Sequence, residues 1–367
     1  MLNTNGLVKQ SLDQHKGTKI KVLVVDDSAL MRSMIKDILE TDPSIQVVGT
    51  ACDAYDARDK IKALNPDVLT LDVEMPKMDG IQFLRNLMKL HPMPVVMIST
   101  LTTQGANTTL DALSIGAIDF ISKPGSDSIH SLDDYSEDII RKVKIVSKAN
   151  IRPLAMPSHK AVTTSSTLPQ SKTLFSTQGK MVAIGSSTGG TEALKEVLSR
   201  LPANMPSVVI TQHIPEAFSK SFAQRMDTIC AMTVCEAEDG QEILSGHVYI
   251  APGNRHLKVR KQGARLYCEL DDGPSVNRHK PSVEVMLNSV ITNIGRNAIG
   301  VMLTGMGDDG ADAMKKLRDA GAYTYAQDEA TSVVWGMPGQ AVKRGAIDEI
   351  VPLEEISEKI LSRLTVQ

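Results

Sequence analysis

Two stretches of this chain repeat one grammar: a short apolar run, a turn of polar or glycine residues, then a segment of helical period. In the first stretch the apolar runs stand at 21–25, 45–49, 68–71, 95–99 and 118–121. Helix-period segments fill the gaps, among them 28–40, 80–90 and 132–148. Strands alternating with helices predict a parallel, doubly wound sheet. Their near-continuous apolar character fits strands covered on both faces. The second stretch opens the same way, with runs at 181–184 and 208–211, a helix from 191 and another over 216–226. Short runs at 248–251, 257–260 and 265–270 predict antiparallel hairpins inserted into that order. The βα pattern returns at 298–303, with a helix from 308 or 309 to 320.

The expected fold is therefore α/β throughout. An N-terminal doubly wound five-stranded parallel domain spans 19–150, and a C-terminal doubly wound domain with an antiparallel hairpin insertion spans 180–367. Between them, 151–179 is rich in Ser, Thr and Pro without any period and reads as a linker. A length of 367 residues with 42% hydrophobic residues supports two cores, and 3% aromatics makes those cores aliphatic. A net charge of −3 without a basic cluster argues against a nucleic-acid partner. No apolar run reaches membrane-spanning length and the start is polar, so no direct membrane insertion is expected and the location reads as cytoplasmic. Cys52, Cys230, Cys235 and Cys268 lack CxxC spacing, which argues against a zinc site or a disulfide framework.

Acids and hydroxyls gather at strand ends in the first domain. Asp26 and Asp27 follow the first run, Asp72 ends the third, Ser99 ends the fourth and Lys123 follows the fifth. Carboxyl ends of neighbouring parallel strands share one crevice. Three carboxylates there repel one another unless a hard cation sits among them, and Mg²⁺ bound through carboxylates, waters and a phosphoryl oxygen fits. With Val-Asp-Asp-Ser at 25–28, Leu-Asp-Val-Glu-Met-Pro-Lys-Met-Asp-Gly at 71–80 and Lys-Pro at 123–124, this stretch resembles the response-regulator receiver domain. The resemblance implies Asp72 as phosphoacceptor and Asp26 and Asp27 as metal-site acids. It also implies the main-chain carbonyl of Glu74 as a further metal ligand, Ser99 as switch hydroxyl and Lys123 as phosphate contact.

In the second domain Ser187 stands in a glycine-rich turn, Gly-Ser-Ser-Thr-Gly-Gly at 185–190, between a strand and a helix. A hydroxyl there faces a helix N-terminus, which favours developing negative charge. The turn lacks both the phosphate-loop and the dinucleotide spacings, which leaves a plain tight turn as the rival. His213 follows the next strand. Asp309 follows a later one, where an Asp is commonly an N-cap. Together they supply the nucleophile, base and orienter of acyl transfer, and that chemistry calls for no cofactor.

The matching stretches Ile184–Thr191, Gln212–Pro215, Ala251–Gly253, Asn277–Ser282, Leu303–Gly310 and Gly336–Pro338 resemble the catalytic domain of the chemotaxis receptor-modification methylesterases. The resemblance implies protein-glutamate methylesterase and protein-glutamine deamidase activities with Ser187 as nucleophile, His213 as base and Asp309 as acid. Where the family usually has Ala before the nucleophile, this chain has Ser186. Backbone N–H groups of Thr188, Gly305 and Met306 are candidate oxyanion donors by position. His256 and His279 read as pocket-wall or surface residues. The implied partners are the cytoplasmic domains of methyl-accepting chemoreceptors as substrate and a chemotaxis histidine kinase as phosphodonor, with the receiver restraining the hydrolase until it is phosphorylated. A DNA-binding output, a non-catalytic binding module and a small-molecule esterase are the rival readings.

Overall fold

The computed structural model describes residues 19–100, 102–123, 132–149 and 179–365. The polar start and nearly all of the expected linker lie outside these residues. The first domain builds β1 (Ile20–Val25), α1 (Ala29–Glu40), β2 (Ile45–Ala51), α2 (Ala54–Leu64), β3 (Val68–Asp72), α3 (Gly80–Leu90), β4 (Val95–Ser99), α4 (Thr103–Ile115), β5 (Asp119–Ser122) and α5 (Leu132–Val146). All pairings are parallel, in the order β2-β1-β3-β4-β5. Helix starts follow local chemistry: Ser28, Asp53, Asp79 and Thr102 each accept from an N–H of the first turn. The order reverses between β1 and β3, and a crevice opens at such a switch point. That is where Asp26, Asp27 and Asp72 stand.

The second domain builds β6 (Met181–Ser186), α6 (Gly190–Leu198), β7 (Ser207–Gln212), α7 (Glu216–Asp227), β8 (Thr233–Glu236), β9 (His247–Ile250), β10 (His256–Gln262) and β11 (Arg265–Asp271). It continues with α8 (Val283–Asn293), β12 (Ala298–Met302), α9 (Ala311–Asp319), β13 (Tyr323–Gln327), α10 (Met337–Lys343), β14 (Glu349–Val351) and α11 (Ile356–Leu364). Seven strands form a parallel sheet in the order β14-β13-β12-β6-β7-β9-β8, and β10 pairs with β11 as an antiparallel hairpin. The expected run at 248–251 thus belongs to the main sheet as β9, pairing parallel with β7 and β8, and only the next two runs form the inserted hairpin. β6 and β7 are completely buried, as strands sandwiched by helices must be. The order reverses at β6, which puts the ends of β6, β7 and β12 around one crevice.

The two domains touch at that crevice. α4 of the receiver packs on α7. The Phe120 and Phe218 rings meet tilted, with centroids 4.4 Å apart, a geometry worth about 0.5–1.5 kcal/mol beyond buried area. Arg225 pairs with Asp111 at 2.6 Å and donates to Ser114 at 3.1 Å. Val333 of the second domain packs against the receiver core.

Candidate active site

Ser187 begins the turn after β6, and its N–H donates to Thr304 O at 3.0 Å. His213 follows β7, and its N–H donates to Ser186 O at 3.1 Å. Asp309 sits in the turn after β12. Gly305 allows the two turns to approach, because a Cβ there would lie 2.8 Å from Ser187 Cβ and 3.0 Å from Ser187 N.

Asp309 does not cap α9. The cap position is Gly310, whose φ is 82°, and a Cβ there would lie 2.4 Å from Val283 Cγ1. The turn swings the Asp309 carboxylate onto the N-terminus of α8 instead. Oδ2 accepts from Val283 N at 2.7 Å, and Oδ1 accepts from Ser282 Oγ at 2.7 Å and Asn277 Nδ2 at 2.9 Å. His213 Nε2 lies 2.9 Å from Asp309 Oδ2. Burial alone would raise the Asp309 carboxyl, but the bonds from His213, Asn277 and Ser282 outweigh it and hold the group down at about 2. A permanently ionised Asp309 takes the Nε2–H and leaves Nδ1 as the lone-pair nitrogen. Nδ1 is buried without a hydrogen-bond partner, and Ser187 Oγ makes no hydrogen bond among the described residues. The acid–base link is formed; the base–nucleophile link is open.

Of the backbone donors named from sequence, Gly305 drops out, because its N–H donates to Val334 O at 3.0 Å. The N–H groups of Thr188 and Met306 have no backbone acceptor among the described residues. Both residues lie under the receiver: Thr188 Oγ1 donates to Asp119 Oδ2 at 2.6 Å, and Arg141 reaches Met306 Sδ at 3.9 Å. Gln212 was not singled out from sequence. Its Oε1 accepts from Ser186 Oγ at 2.7 Å, and its Nε2 donates to the carbonyls of Ser187 and His213 at 2.9 and 3.1 Å. Asp308 is exposed and pairs with Arg344 at 2.7 Å, away from the imidazole. His256 is not a surface residue: it is 1% exposed, faces Pro274 O at 3.0 Å and accepts from Ser282 N. His279 stands beside the candidate base, with its ring flat on His213.

At the receiver's crevice Asp26 and Asp72 are buried and Asp27 is exposed. One carboxylate oxygen from each lies within 4.8 Å of the others. Lys123 Nζ lies 2.8 Å from Asp72 Oδ2 and 3.3 Å from Asp26 Oδ2. Neither buried oxygen has an aligned hydrogen-bond donor. Two buried carboxylate oxygens that share one ammonium, beside a third acid, are what a hard divalent cation satisfies, so these residues fit Mg²⁺. Burial first, then repulsion from Asp26, pushes the Asp72 carboxyl up to about 6 against the pull of Lys123. Because the cation must displace that proton, Mg²⁺ affinity should weaken as the pH falls through about 6. Calorimetric titration from about pH 5 to about pH 8, roughly one unit below that value and two above it, checks this; equal affinity at both ends would refute it. Ser99 makes no hydrogen bond to these acids among the described residues. Its Oγ accepts from Thr109 Oγ1 at 2.7 Å, within α4.

A family model described as the CheB methylesterase matches residues 182–360, and one described as the response regulator receiver domain matches 22–132. The protein-glutamate methylesterase/protein-glutamine glutaminase of Hydrogenovibrio crunogenus is 54% identical over 94% of this chain and 99% of its own length. The chain belongs to the protein-glutamate methylesterase/protein-glutamine glutaminase family. A relative of the same name in Geobacter metallireducens is 50% identical over 95% of this chain and 97% of its own. The crystal structure of the Thermotoga maritima CheB methylesterase catalytic domain is 40% identical, covers 50% of this chain and 98% of that one, and superposes with a TM-score of 0.50. As in the family, a receiver precedes a hydrolytic α/β domain. Among the described residues no helix is long and apolar enough to cross a membrane.

Proposed function

We propose that this enzyme hydrolyses side-chain methyl esters of glutamate and carboxamides of glutamine on the cytoplasmic domains of chemoreceptors, and so resets sensory adaptation. The observation that carries the reading is the hydrogen-bonded His213–Asp309 pair beside Ser187, at three adjacent strand ends. Ser187 Oγ attacks the side-chain carbonyl carbon as His213 Nδ1 takes the hydroxyl proton. The oxyanion meets the N–H groups of Thr188 and Met306. The tetrahedral species collapses, the C–O or C–N bond breaks, and methanol or ammonia leaves with the proton held by His213. Water then attacks the acyl-serine, with His213 taking its proton and returning it to Ser187 Oγ. The acyl part is the same for both substrates, so one pocket serves both.

Phosphorylation of Asp72 by a chemotaxis histidine kinase controls access. Asp26, Asp27, Asp72 and the Glu74 carbonyl would hold Mg²⁺, which would supply charge neutralisation for an incoming phosphoryl group, and Lys123 would contact that group. Ser99, now bonded to Thr109 in α4, turns toward the phosphoryl group. α4 is the helix that packs on α7, so the same movement loosens the receiver from the crevice.

Methanol and ammonia release from chemoreceptor membranes, with and without acetyl phosphate and Mg²⁺, tests this reading. Activation is expected to fall in the range of about 5–150-fold and to be lost in Asp72→Ala. Hydrolysis of small esters with none on receptors would refute the substrate assignment. The Arg225–Asp111 pair gives an independent handle on docking. Exposed pairs contribute about 0.2–1 kcal/mol, so Arg225→Glu should raise unphosphorylated turnover by roughly 2–5-fold, and adding Asp111→Arg should reverse the rise. A fall in basal turnover with Arg225→Glu would mean that the receiver assists the hydrolase.

A further inference from the structure

Residues 276–279 close on themselves as a tight turn. Val276 N donates to His279 O at 3.0 Å, and His279 N donates to Val276 O at 2.9 Å. Both central residues are left-handed, Asn277 with φ 52° and Arg278 with φ 66°. Asparagine tolerates that region; arginine, with its Cβ, does not do so readily. Such strain persists only where the surroundings over-determine it, and it gathers at functional sites. This turn delivers two contacts to the acid–base pair. Asn277 Nδ2 donates to Asp309 Oδ1 at 2.9 Å. The His279 ring lies on the His213 ring with centroids 3.7 Å apart and planes 9° from parallel.

We infer that the 276–279 turn is a positioning element for the hydrolytic site: Asn277 holds the Asp309 carboxylate, and His279 holds the plane of the His213 ring as a neutral stacking partner. The inference rests on His213 being the base. The reason a second support is needed lies in how His213 is anchored. Its hydrogen bond to Asp309 is made at Nε2, and Nδ1 has none. In an imidazole both nitrogens lie off the axis of rotation about Cβ–Cγ, Nε2 less far than Nδ1. A single anchor at Nε2 therefore restrains rotation less than one at Nδ1 would, and terminal sp³–sp² torsions are broad. Spinning sweeps Nδ1 away from the Ser187 hydroxyl. A flat partner 3.7 Å away stops that motion.

His279 can do this without competing for the proton. The His213 ring lies on it, Asp309, Arg141 and Asp138 act on it electrostatically, the last two from α5, and Lys280, next in sequence, donates to Asp272 O instead. Burial first, then His213 and Arg141, push its imidazole down to about 3. It is therefore uncharged beside His213 in the docked arrangement of the two domains.

The test uses the full-length enzyme activated with acetyl phosphate and Mg²⁺, with kcat and KM measured on receptor membranes across pH. Misplacing a reacting group by about 1 Å costs on the order of 10²-fold. His279→Ala should lower kcat by roughly 10–100-fold with KM within about 2-fold of the parent. His279→Phe keeps a flat ring and should restore kcat to within about 3-fold, with the acid limb of the pH–rate profile where the parent has it. Asn277→Ala should also lower kcat at constant KM. Thermal melts and phosphoryl uptake at Asp72 report folding of each variant. If folded His279→Phe is as slow as His279→Ala, a ring nitrogen is required and the stacking role is wrong. If His279→Ala and Asn277→Ala both keep parental kcat, the turn positions nothing. His213→Gln, run alongside, separates the two layers: activity surviving there overturns the base assignment, whereas its loss beside unaffected His279 variants overturns the stack alone.

Discussion

Replacing Ser187 by alanine is expected to lower turnover on receptor membranes by about 10⁴–10⁶-fold, for methanol release and for ammonia release alike. The size follows from the nucleophile's place in the chemistry. Without Oγ there is no acyl-serine, and water must attack the side-chain carbonyl directly. The residual rate is expected from binding and from the N–H groups proposed as oxyanion donors, those of Thr188 and Met306, which alanine leaves in place. The equal loss follows from the single crevice where β6, β7 and β12 end. Ser186, the neighbouring hydroxyl, cannot substitute, because it is fully buried and donates to Gln212 Oε1 at 2.7 Å. Stability should change little, since Ser187 is only half-buried and its Oγ makes no hydrogen bond among the described residues. Release of methanol and ammonia by purified Ser187→Ala, set against the parent at equal concentration, measures both losses. Deamidation that survives while demethylation vanishes would require a second nucleophile.

The sequence made the central strands of the receiver legible because β3 and β4 are buried throughout and β1 is buried from Val22 on, so hydropathy alone marks them. The same logic found β6, β7 and β12 and with them the places of Ser187, His213 and Asp309. It failed at the far edge of the second sheet. β13 reads Tyr-Thr-Tyr-Ala-Gln and β14 has three residues, so neither carries an apolar run. It also failed where two remote segments meet. An Asp before a helix is usually its cap, and only the fold reveals that Asp309 faces α8 through Val283, 26 positions away. His279 and Asn277 lie in a quoted motif, yet their contacts depend on a left-handed turn that no periodicity encodes. The docking of Asp119 on Thr188 spans 69 positions and two domains, and neither residue carries a local signal for it.

Asp309→Asn is expected to cost about 10⁴-fold in turnover while the protein stays folded, by analogy with the same change in a serine protease triad. The reason is a mismatch of donors. Oδ2 accepts from both His213 Nε2 and Val283 N, at 2.9 and 2.7 Å, and Oδ1 accepts from Ser282 and Asn277. An asparagine must place its NH₂ on one of these two sides. Facing Ser282 and Asn277, it meets two donors. Facing His213, it meets the Val283 N–H and pushes the imidazole proton from Nε2 to Nδ1. The second arrangement leaves the fold intact and destroys the base, because Nδ1 then carries a proton toward Ser187. A stability loss of about 1–3 kcal/mol accompanies either choice. It should itself depend on pH. The carboxyl is held down at about 2 in the folded protein, below its ordinary value near 3.9. Its contribution is therefore complete above the ordinary range and disappears as the pH falls through about 2. Thermal melts of parent and variant should differ at pH 7 and converge toward that acid limit. Kinetics of the double variant supply the sharper check. Residues acting as one unit are strongly non-additive, so Asp309→Asn added to Ser187→Ala should cost almost nothing further. A second loss of several orders of magnitude would show that Asp309 acts apart from Ser187, and the three residues would not be one catalytic unit.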